Sequence, residues 1–258
     1  MLLALAALSE PAVLLANSGN LGGFLLAIVS GALALLLRGR VVGAGALLGL
    51  LSIKPHPFLV FVPALLVVTR GRERRDLVAG GLSVALALFA LALSVRPTWP
   101  GEWLASAARL QAVAAPRANV WVLFGGDPLW ASWLLAAASL FALLAWVRRR
   151  RPSLALVAGG ALAVSLFLAP YGWSYDQLVL FVTVAAAMST ISSAPERLRY
   201  LGLALLAALV VTGTWSLQVA AVNRGNEGWS GLTPLALFGA LLLLDRVTAP
   251  TRGWATAR

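Results

Sequence analysis

LLGLLSIKPHPFLVFVPALL, residues 47–66, sets a lysine, a histidine and two prolines inside an otherwise apolar run. Pro55 and Pro57 remove two backbone donors and bias the residues before them away from helix, so a break in the chain is predicted at KPHP. Lys54 is the most informative residue at this break. A charged ammonium in apolar surroundings needs a partner or water, and the partner has to come from elsewhere in the fold.

The composition indicates a membrane protein. Of the 258 residues, 60% are hydrophobic and 11% charged, and the mean hydropathy is +0.89. The absence of cysteine excludes disulfides and thiolate metal sites, and a single histidine excludes a multi-histidine site, so neither a metal nor a cofactor is predicted. The net charge of +11 comes from arginine clusters between apolar runs, which favours membrane lipids over nucleic acid as partners.

The apolar runs have about the length, 17 to 22 residues, that crosses a bilayer. We expect one all-α, polytopic transmembrane domain over residues 1–258, with a partial run at 1–16 that is the end of a span. Spans are predicted near residues 21–37, 77–95, 128–147, 153–169, 178–191, 200–222 and 232–244.

The basic residues predict the orientation. Fifteen of the 20 lysines and arginines lie in clusters that would share the cytoplasmic side: Arg38 and Arg40, RGRERR at 70–75, Arg148 to Arg151, Arg197 and Arg199, and a tail with Arg246, Arg252 and Arg258. The protein is therefore predicted to lie in the cytoplasmic membrane as a multi-pass protein, with its functional site facing outside.

Residues 41–69 lie between two of these clusters, and if both clusters are cytoplasmic this segment cannot cross the membrane only once. Two arms of about 13 residues would each reach about 20 Å, which is enough for a re-entrant hairpin with KPHP at its tip. The alternative is one long tilted helix that is kinked at the prolines.

Lys54 and His56 are candidate phosphate-binding residues at such a tip. An unpaired ammonium within a membrane domain costs roughly 3 kcal/mol or more, which favours an anionic ligand in a wet cavity. Alternatively, Lys54 reaches an interface or pairs with a carboxylate such as Asp176 or Glu10. His56 could donate to the same anion or move a proton, or it is a hydrogen-bonded structural residue.

Two outer loops carry further polar residues. Residues 96–127 are too polar to span and predict a short interfacial helix, or an ordinary amphipathic connector, followed by Arg117 and Asn119 as candidates for holding a phosphate or sugar hydroxyls. In the second loop, Tyr175 is either a sugar-stacking residue or part of the interfacial aromatic belt. Asp176, at the start of a membrane helix, is either a site residue or a solvated helix-end group.

These segments together resemble glycosyltransferase family 87. The resemblance rests on GRVVGAGALLGLLSIKPHPFLVFVPALLVVTRGRER, on NSGNLGGFLLAIVSGALALLLRGR before it, and on PRANVWVLFG and LAPYGWSYDQLVL after it. It implies a GT-C-like helical bundle that transfers mannose or a related hexose from a polyprenyl-phosphate donor to a lipid-linked or envelope glycan. Lys54, His56, Arg117, Asn119 and Tyr175 would bind the donor phosphate and sugar.

The chain also departs from the family's pattern. The resemblance implies further membrane helices, with a catalytic aspartate, before the point that corresponds to Met1; this chain would cover the C-terminal two-thirds, and a partner chain could supply the rest. The outer tryptophan motif, which in many relatives continues into a histidine pair, reads WSYD at 173–176. Among the outer acidic residues Glu10, Glu102, Asp127, Asp176 and Glu227, Asp176 is the preferred substitute base.

A second class of function also fits the sequence. A non-catalytic membrane subunit, or a transporter of lipid phosphate or sugar, would likewise use a broken helix with a cation near the midplane.

Overall fold

The computed structural model describes residues 1–112, 118–124, 129–170, 172–225 and 227–248. Within these ranges the regular structure is helical and there is no strand, which confirms the all-α prediction. Arg117 of the predicted site lies outside the described residues.

The first half of the chain forms seven helices, and the KPHP break lies between the fourth and the fifth. They are α1 (Leu2–Leu8), α2 (Glu10–Ser18), α3 (Gly22–Leu37), α4 (Val41–Gly49), α5 (Phe61–Val68), α6 (Gly71–Val95) and α7 (Trp99–Ala112). Two 3₁₀ turns, Leu50–Ile53 and His56–Phe58, connect α4 to α5. Helix α7 lies where the interfacial helix is predicted.

The second half begins with a single turn and continues as a bundle. Its helices are α8 (Val120–Leu123), α9 (Leu129–Arg150), α10 (Leu154–Leu168), α11 (Phe181–Ser192), α12 (Glu196–Ala208), α13 (Thr214–Arg224) and α14 (Leu232–Thr248). A 3₁₀ segment, Ser174–Leu180, leads into α11, and a π-helical turn, Leu209–Gly213, joins α12 to α13.

Five helical segments among the described residues are long and apolar enough to cross a membrane. They are Gly71–Val95, Leu129–Arg150, Ser174–Ser192, Glu196–Asn223 and Gly228–Thr248. Together with four shorter apolar helices, they identify the chain as a polytopic membrane protein.

Glycines set the direction of α4 relative to α6. A Cβ at Gly45 would overlap the carbonyl of Leu77, and one at Gly49, a turn later, would lie 2.9 Å from the Cβ of Val84. As α4 advances by one turn its contacts on α6 advance as well, so the two helices run parallel with their backbones in contact. The chain must therefore return between them. Residues 41–69 form a hairpin, and the alternative of a single kinked helix is wrong.

Helix α10 forms the centre of the bundle and holds the returning arm of this hairpin. Residues 156–167 of α10 are all buried, and the helix packs against α5, α9, α11 and α14. The Oγ of Ser165 accepts a hydrogen bond from the backbone N–H of Val60 at 3.0 Å, just before α5 begins. The two arms thus have different partners, since α4 packs on α3 and α6.

Candidate functional site

The tip of the hairpin, residues 54–57, is defined by backbone that leaves the helical conformation at Lys54. Lys54 has φ −142° and ψ 74°, and Pro55 follows with φ −75°. Extended geometry before a proline is what proline sterics favour. The Lys54 side chain therefore leaves the end of the α4 arm, where it is only 16% exposed.

The Lys54 ammonium forms an ion pair with the carboxylate of Asp176. Asp176 is 1% exposed, and its second oxygen, Oδ2, accepts a hydrogen bond from the backbone N–H of Trp173 at 3.2 Å. This contact caps the 3₁₀ segment that begins at Ser174. Two residues that the sequence predicts for the site are thus in direct contact. The structure contains the Lys54–Asp176 pair, which is the alternative to a Lys54 that binds only a ligand.

Aromatic rings form another side of the same cluster. The Lys54 Nζ lies 5.5 Å from the centroid of the Tyr175 ring, within the range of a cation–π interaction. The Tyr175 and Trp173 rings stack at 6.0 Å with an interplanar angle of 14°. Gly22, at the start of α3, packs against this segment, because a Cβ there would lie 3.1 Å from the Tyr175 carbonyl oxygen. Lys54 is therefore held between a carboxylate and an aromatic face.

A long apolar groove, which we call the tip groove, is lined in part by the two sequence neighbours of Lys54. Its volume is about 890 Å³, and it is lined by Ser52 and Ile53 just before the tip, by Pro55 of the tip, by α6 from Leu82 to Val95, and by Trp99 and Trp103 of α7. Phe89 and Trp99, which both line the groove, make an edge-to-face contact at 5.6 Å. Arg96 also lines the groove and pairs with Glu102 at 2.8 Å. The groove therefore offers a hydrocarbon surface that leads to the residues flanking a cation.

A sequence model of glycosyltransferase family 87 matches residues 1–170 of the 258. The chain belongs to this family. It is therefore a membrane glycosyltransferase, as the resemblance of the KPHP segment implies. No curated protein and no solved structure matches the chain. The matched range contains Lys54 and ends before Asp176, so the ion pair joins the family 87 match to the part of the chain that follows it.

His56 of this family 87 enzyme lies inside the tip rather than at its surface. It is 5% exposed, and it is close enough to Lys54 for their charges to interact. The structure thus brings His56 to Lys54.

Asn119 lies on a neighbouring wall of the family 87 site. It is fully buried, and its Oδ1 caps α8 by accepting a hydrogen bond from the Trp121 backbone N–H at 3.1 Å. The preceding backbone N–H, of Ala118, donates to the Gly172 carbonyl at 2.7 Å. This joins the segment to the loop that carries Asp176. The Nδ2 of Asn119 is without a hydrogen-bond partner among the described residues, so it makes no hydrogen bond with Lys54 there.

Two glutamates belong to the same cluster, although the sequence favours Asp176 over them as the base. Glu227, in the loop before α14, accepts a hydrogen bond from the Ser174 backbone N–H at 3.1 Å. Glu10, at the start of α2, is 1% exposed and interacts with the Glu227 charge. In the sequence, Glu10 and Glu227 stand out as carboxylates in a very apolar chain. Glu102 and Asp127 stand out in the same way, so the sequence alone does not show which carboxylates belong to the site.

The electrostatics of this cluster are dominated by carboxylates. Burial raises the pKa of Glu227; hydrogen bonds from Ser174 act in the opposite direction, and the charge of Asp176 raises it further. Lys54 is the cation in contact with Asp176 in the described part of the chain. Within that part, no group of three His, Cys, Asp or Glu side chains is arranged to hold a metal ion. The site can thus bind a cationic or hydroxyl-bearing group through its carboxylates and an anion through Lys54.

Proposed function

We propose that this glycosyltransferase transfers a hexose, with mannose the expected sugar, from a polyprenyl-phosphate donor to a lipid-linked or envelope glycan at the outer face of the cytoplasmic membrane. The observation that carries this proposal is the position of Lys54. Its sequence neighbours Ile53 and Pro55 line the apolar tip groove, and its own side chain contacts a cluster of carboxylate and aromatic side chains. A lipid phosphate sugar has three parts that complement these features: a long hydrocarbon for the groove, an anion for Lys54 and a polar ring for the cluster.

The tip groove supports a polyprenyl tail as the hydrophobic part of the donor. Its lining is almost wholly apolar, and Ile53 and Pro55 directly flank Lys54 in sequence. A chain lying along α6 would therefore end with its head group near the ammonium. Burial of hydrocarbon contributes about 25 cal/mol per Å², so a long tail supplies most of the binding free energy.

The polar cluster supports the donor's phosphate and sugar. Lys54 would bind the phosphate as a point charge, and His56 and Arg117 would assist it. Asn119 and Tyr175 would contact the sugar through an amide and an aromatic face. The basic clusters of the opposite end favour an outward-facing site, because lysine and arginine are retained on the cytoplasmic side.

The reaction we propose is an inverting transfer with Asp176 as the general base. Asp176 takes the proton of the acceptor hydroxyl, the acceptor oxygen forms a bond to C1 of the sugar, and the bond between C1 and the phosphate oxygen breaks. The polyprenyl phosphate keeps the electron pair of that bond. Lys54 stabilises the negative charge of this leaving group. The scheme uses no metal ion and no cofactor.

A transfer assay tests the proposal. The full chain, reconstituted in lipid nanodiscs with and without a partner chain that supplies further membrane helices, is incubated with polyprenyl-phosphate [¹⁴C]mannose and a membrane-lipid acceptor fraction. We expect labelled product, and its loss in Lys54→Gln. Asp245→Asn, a buried carboxylate that bonds Trp146 at the other end of the bundle, is the matched control. Donor binding without transfer under both conditions would instead support a carrier or a non-catalytic subunit.

A further inference from the structure

Asp176 occupies the position on Lys54 that the proposed function gives to the donor phosphate. A carboxylate and a phosphate make the same demand on an ammonium, namely a short, charge-assisted hydrogen bond from Nζ. Asp176 is 1% exposed, and each of its oxygens has a partner, Lys54 for one and the Trp173 N–H for the other. In this arrangement Asp176 is neither accessible to an acceptor nor free to accept its proton.

The two partners of the ion pair differ in how a ligand can reach them. Lys54 is 16% exposed and Asp176 is almost completely enclosed. A ligand phosphate therefore has to reach the ion pair at Lys54 rather than at Asp176, and Ile53 and Pro55, the sequence neighbours of Lys54, line the tip groove. Asp176 is held from behind by the backbone of its own segment, and this contact does not depend on Lys54.

Neighbouring carboxylates decide what happens to Asp176 when Lys54 turns to another anion. The Glu227 carboxylate shares the Ser174 segment with Asp176, and their charges interact. Glu10 adds a further buried carboxylate next to Glu227. When Lys54 turns to the phosphate, the Asp176 carboxylate loses its cation and remains beside these carboxylates.

We infer that the donor phosphate competes with Asp176 for Lys54, so that donor binding breaks the ion pair and releases Asp176 as a base for the acceptor hydroxyl. The inference rests on the proposed function. It gives Asp176 two successive roles: it holds Lys54 in the unliganded enzyme and accepts the proton in the loaded one. Asp176 is then available as a base only when a sugar donor is bound, so the donor-free enzyme does not deprotonate an acceptor hydroxyl.

Donor-lipid binding tests this role, because competition predicts that removing the Asp176 charge tightens binding, whereas other roles of Asp176 predict unchanged or weaker binding. Undecaprenyl phosphate is titrated into the full chain in nanodiscs, and its Kd is compared among the wild type, Asp176→Asn, Lys54→Gln and the control Asp245→Asn. The asparagine of the Asp176→Asn variant keeps an oxygen for the Trp173 N–H but cannot neutralise Lys54. We expect Asp176→Asn to bind at least about fivefold more tightly, the lower end of usual coupling between sites, and to lose turnover.

The outcomes separate the inference from the proposed function. Unchanged or weaker binding in Asp176→Asn, with Lys54→Gln impaired, overturns the competition and leaves the phosphate site intact. Unchanged binding in Lys54→Gln removes Lys54 from the phosphate site and overturns the proposed function itself. Asp245→Asn is expected to bind like the wild type, because its carboxylate bonds Trp146 far from the tip.

A second measurement keeps the inference testable if Asp176→Asn does not fold. The wild type is labelled with ¹³C at the aspartate carboxyls, and its infrared difference spectrum is recorded on adding undecaprenyl phosphate. The chain has four aspartates, and we expect one carboxylate band to shift as the ion pair opens. Lys54→Gln should lack this shift. A wild-type spectrum in which no aspartate band changes on saturation contradicts the inference.

Discussion

The Lys54 ammonium donates a hydrogen bond to the Asp176 carboxylate across a sequence separation of 122 residues. This contact joins the hairpin tip to the segment that leads into α11. Within the described ranges, Lys54 is the only cation in contact with Asp176, and the two residues meet only when the distant segments pack together. Both the stability of the bundle and its proposed chemistry therefore converge on one pair of side chains.

Removing one partner of this pair should destabilise the protein more than removing both. Lys54→Ala leaves a buried carboxylate without its cation, and we expect a loss of about 3 kcal/mol in the free energy of unfolding. The double variant Lys54→Met with Asp176→Leu should recover most of it, because apolar groups can replace a buried pair. Unfolding in SDS, monitored by tryptophan fluorescence, measures both. A double variant as unstable as Lys54→Ala contradicts the prediction, and the double variant should bind no undecaprenyl phosphate.

The glycine contact between α4 and α6 should be intolerant of a single methyl group. A Cβ at Gly45 overlaps the Leu77 carbonyl, so Gly45→Ala must push the two backbones apart, at a cost of about 1 to 3 kcal/mol. Gly43→Ala on the same helix is the control, since its Cβ meets only the end of the Leu35 side chain, at 3.4 Å. SDS unfolding compares the two. Equal stabilities would show that the close approach of these helices is not needed.

The Tyr175 ring should contribute to donor binding through its face and not through its hydroxyl. Tyr175→Ala removes the cation–π contact with Lys54 and the stack with Trp173, and we expect donor affinity to fall by about 1 kcal/mol. Tyr175→Phe keeps the ring and should retain near-wild-type affinity. Titration with polyprenyl-phosphate mannose gives both values. A large loss in Tyr175→Phe would instead assign the contribution to the hydroxyl.

Filling the tip groove should discriminate between donors by the length of their tails. Ala92 lines the groove, so Ala92→Trp occupies part of the space predicted for the polyprenyl chain. We expect weaker binding of undecaprenyl phosphate and unchanged binding of a short isoprenyl phosphate such as citronellyl phosphate. Ala90→Trp, on an exposed face of the same helix, is the control. Equal losses for both lipids would place the tail elsewhere.

Glu227 should make the protein less stable as the pH rises. Its pKa is raised in the folded state, mainly by burial, so the folded protein holds this proton more tightly than the unfolded chain does. This contribution is fully present below the ordinary carboxyl pKa and is lost as the pH rises through the raised value. Glu227→Gln, which keeps an oxygen for Ser174, should flatten this part of the stability profile. Glu73→Gln, an exposed residue at the basic end, should not. A wild-type-like profile in Glu227→Gln contradicts the assignment.

Much of the helical architecture follows from local features of the sequence. The prolines at 55 and 57 predict the break, and the structure leaves the helical conformation at Lys54. The predicted span at 77–95 corresponds to α6, which begins earlier, at Gly71, because RERRD is able to continue a helix with its charges in solvent. The π-helical turn at Leu209–Gly213 has no comparable signal, because its residues are ordinary apolar helix residues.

The site is less predictable because its members come from distant segments. Sequence reasoning identifies Lys54 as a residue that needs a partner, and it offers both Asp176 and Glu10. The choice depends on α10, which holds the returning arm at Val60 and also precedes the segment that carries Asp176. Glu10 is instead placed beside Thr214 and Glu227.

The sequence by itself determined that the protein lies in a membrane, that it is helical and where the chain breaks, because hydropathy, charge clusters and proline sterics act over a few residues at a time. Only the tertiary structure decided that residues 41–69 return as a hairpin, that Lys54 is neutralised by Asp176, and that Glu227 and Glu10 share its surroundings. These depend on which helices pack together. In this chain the packing is set by glycine contacts and partly buried hydrogen bonds between segments far apart in sequence, which local patterns do not encode.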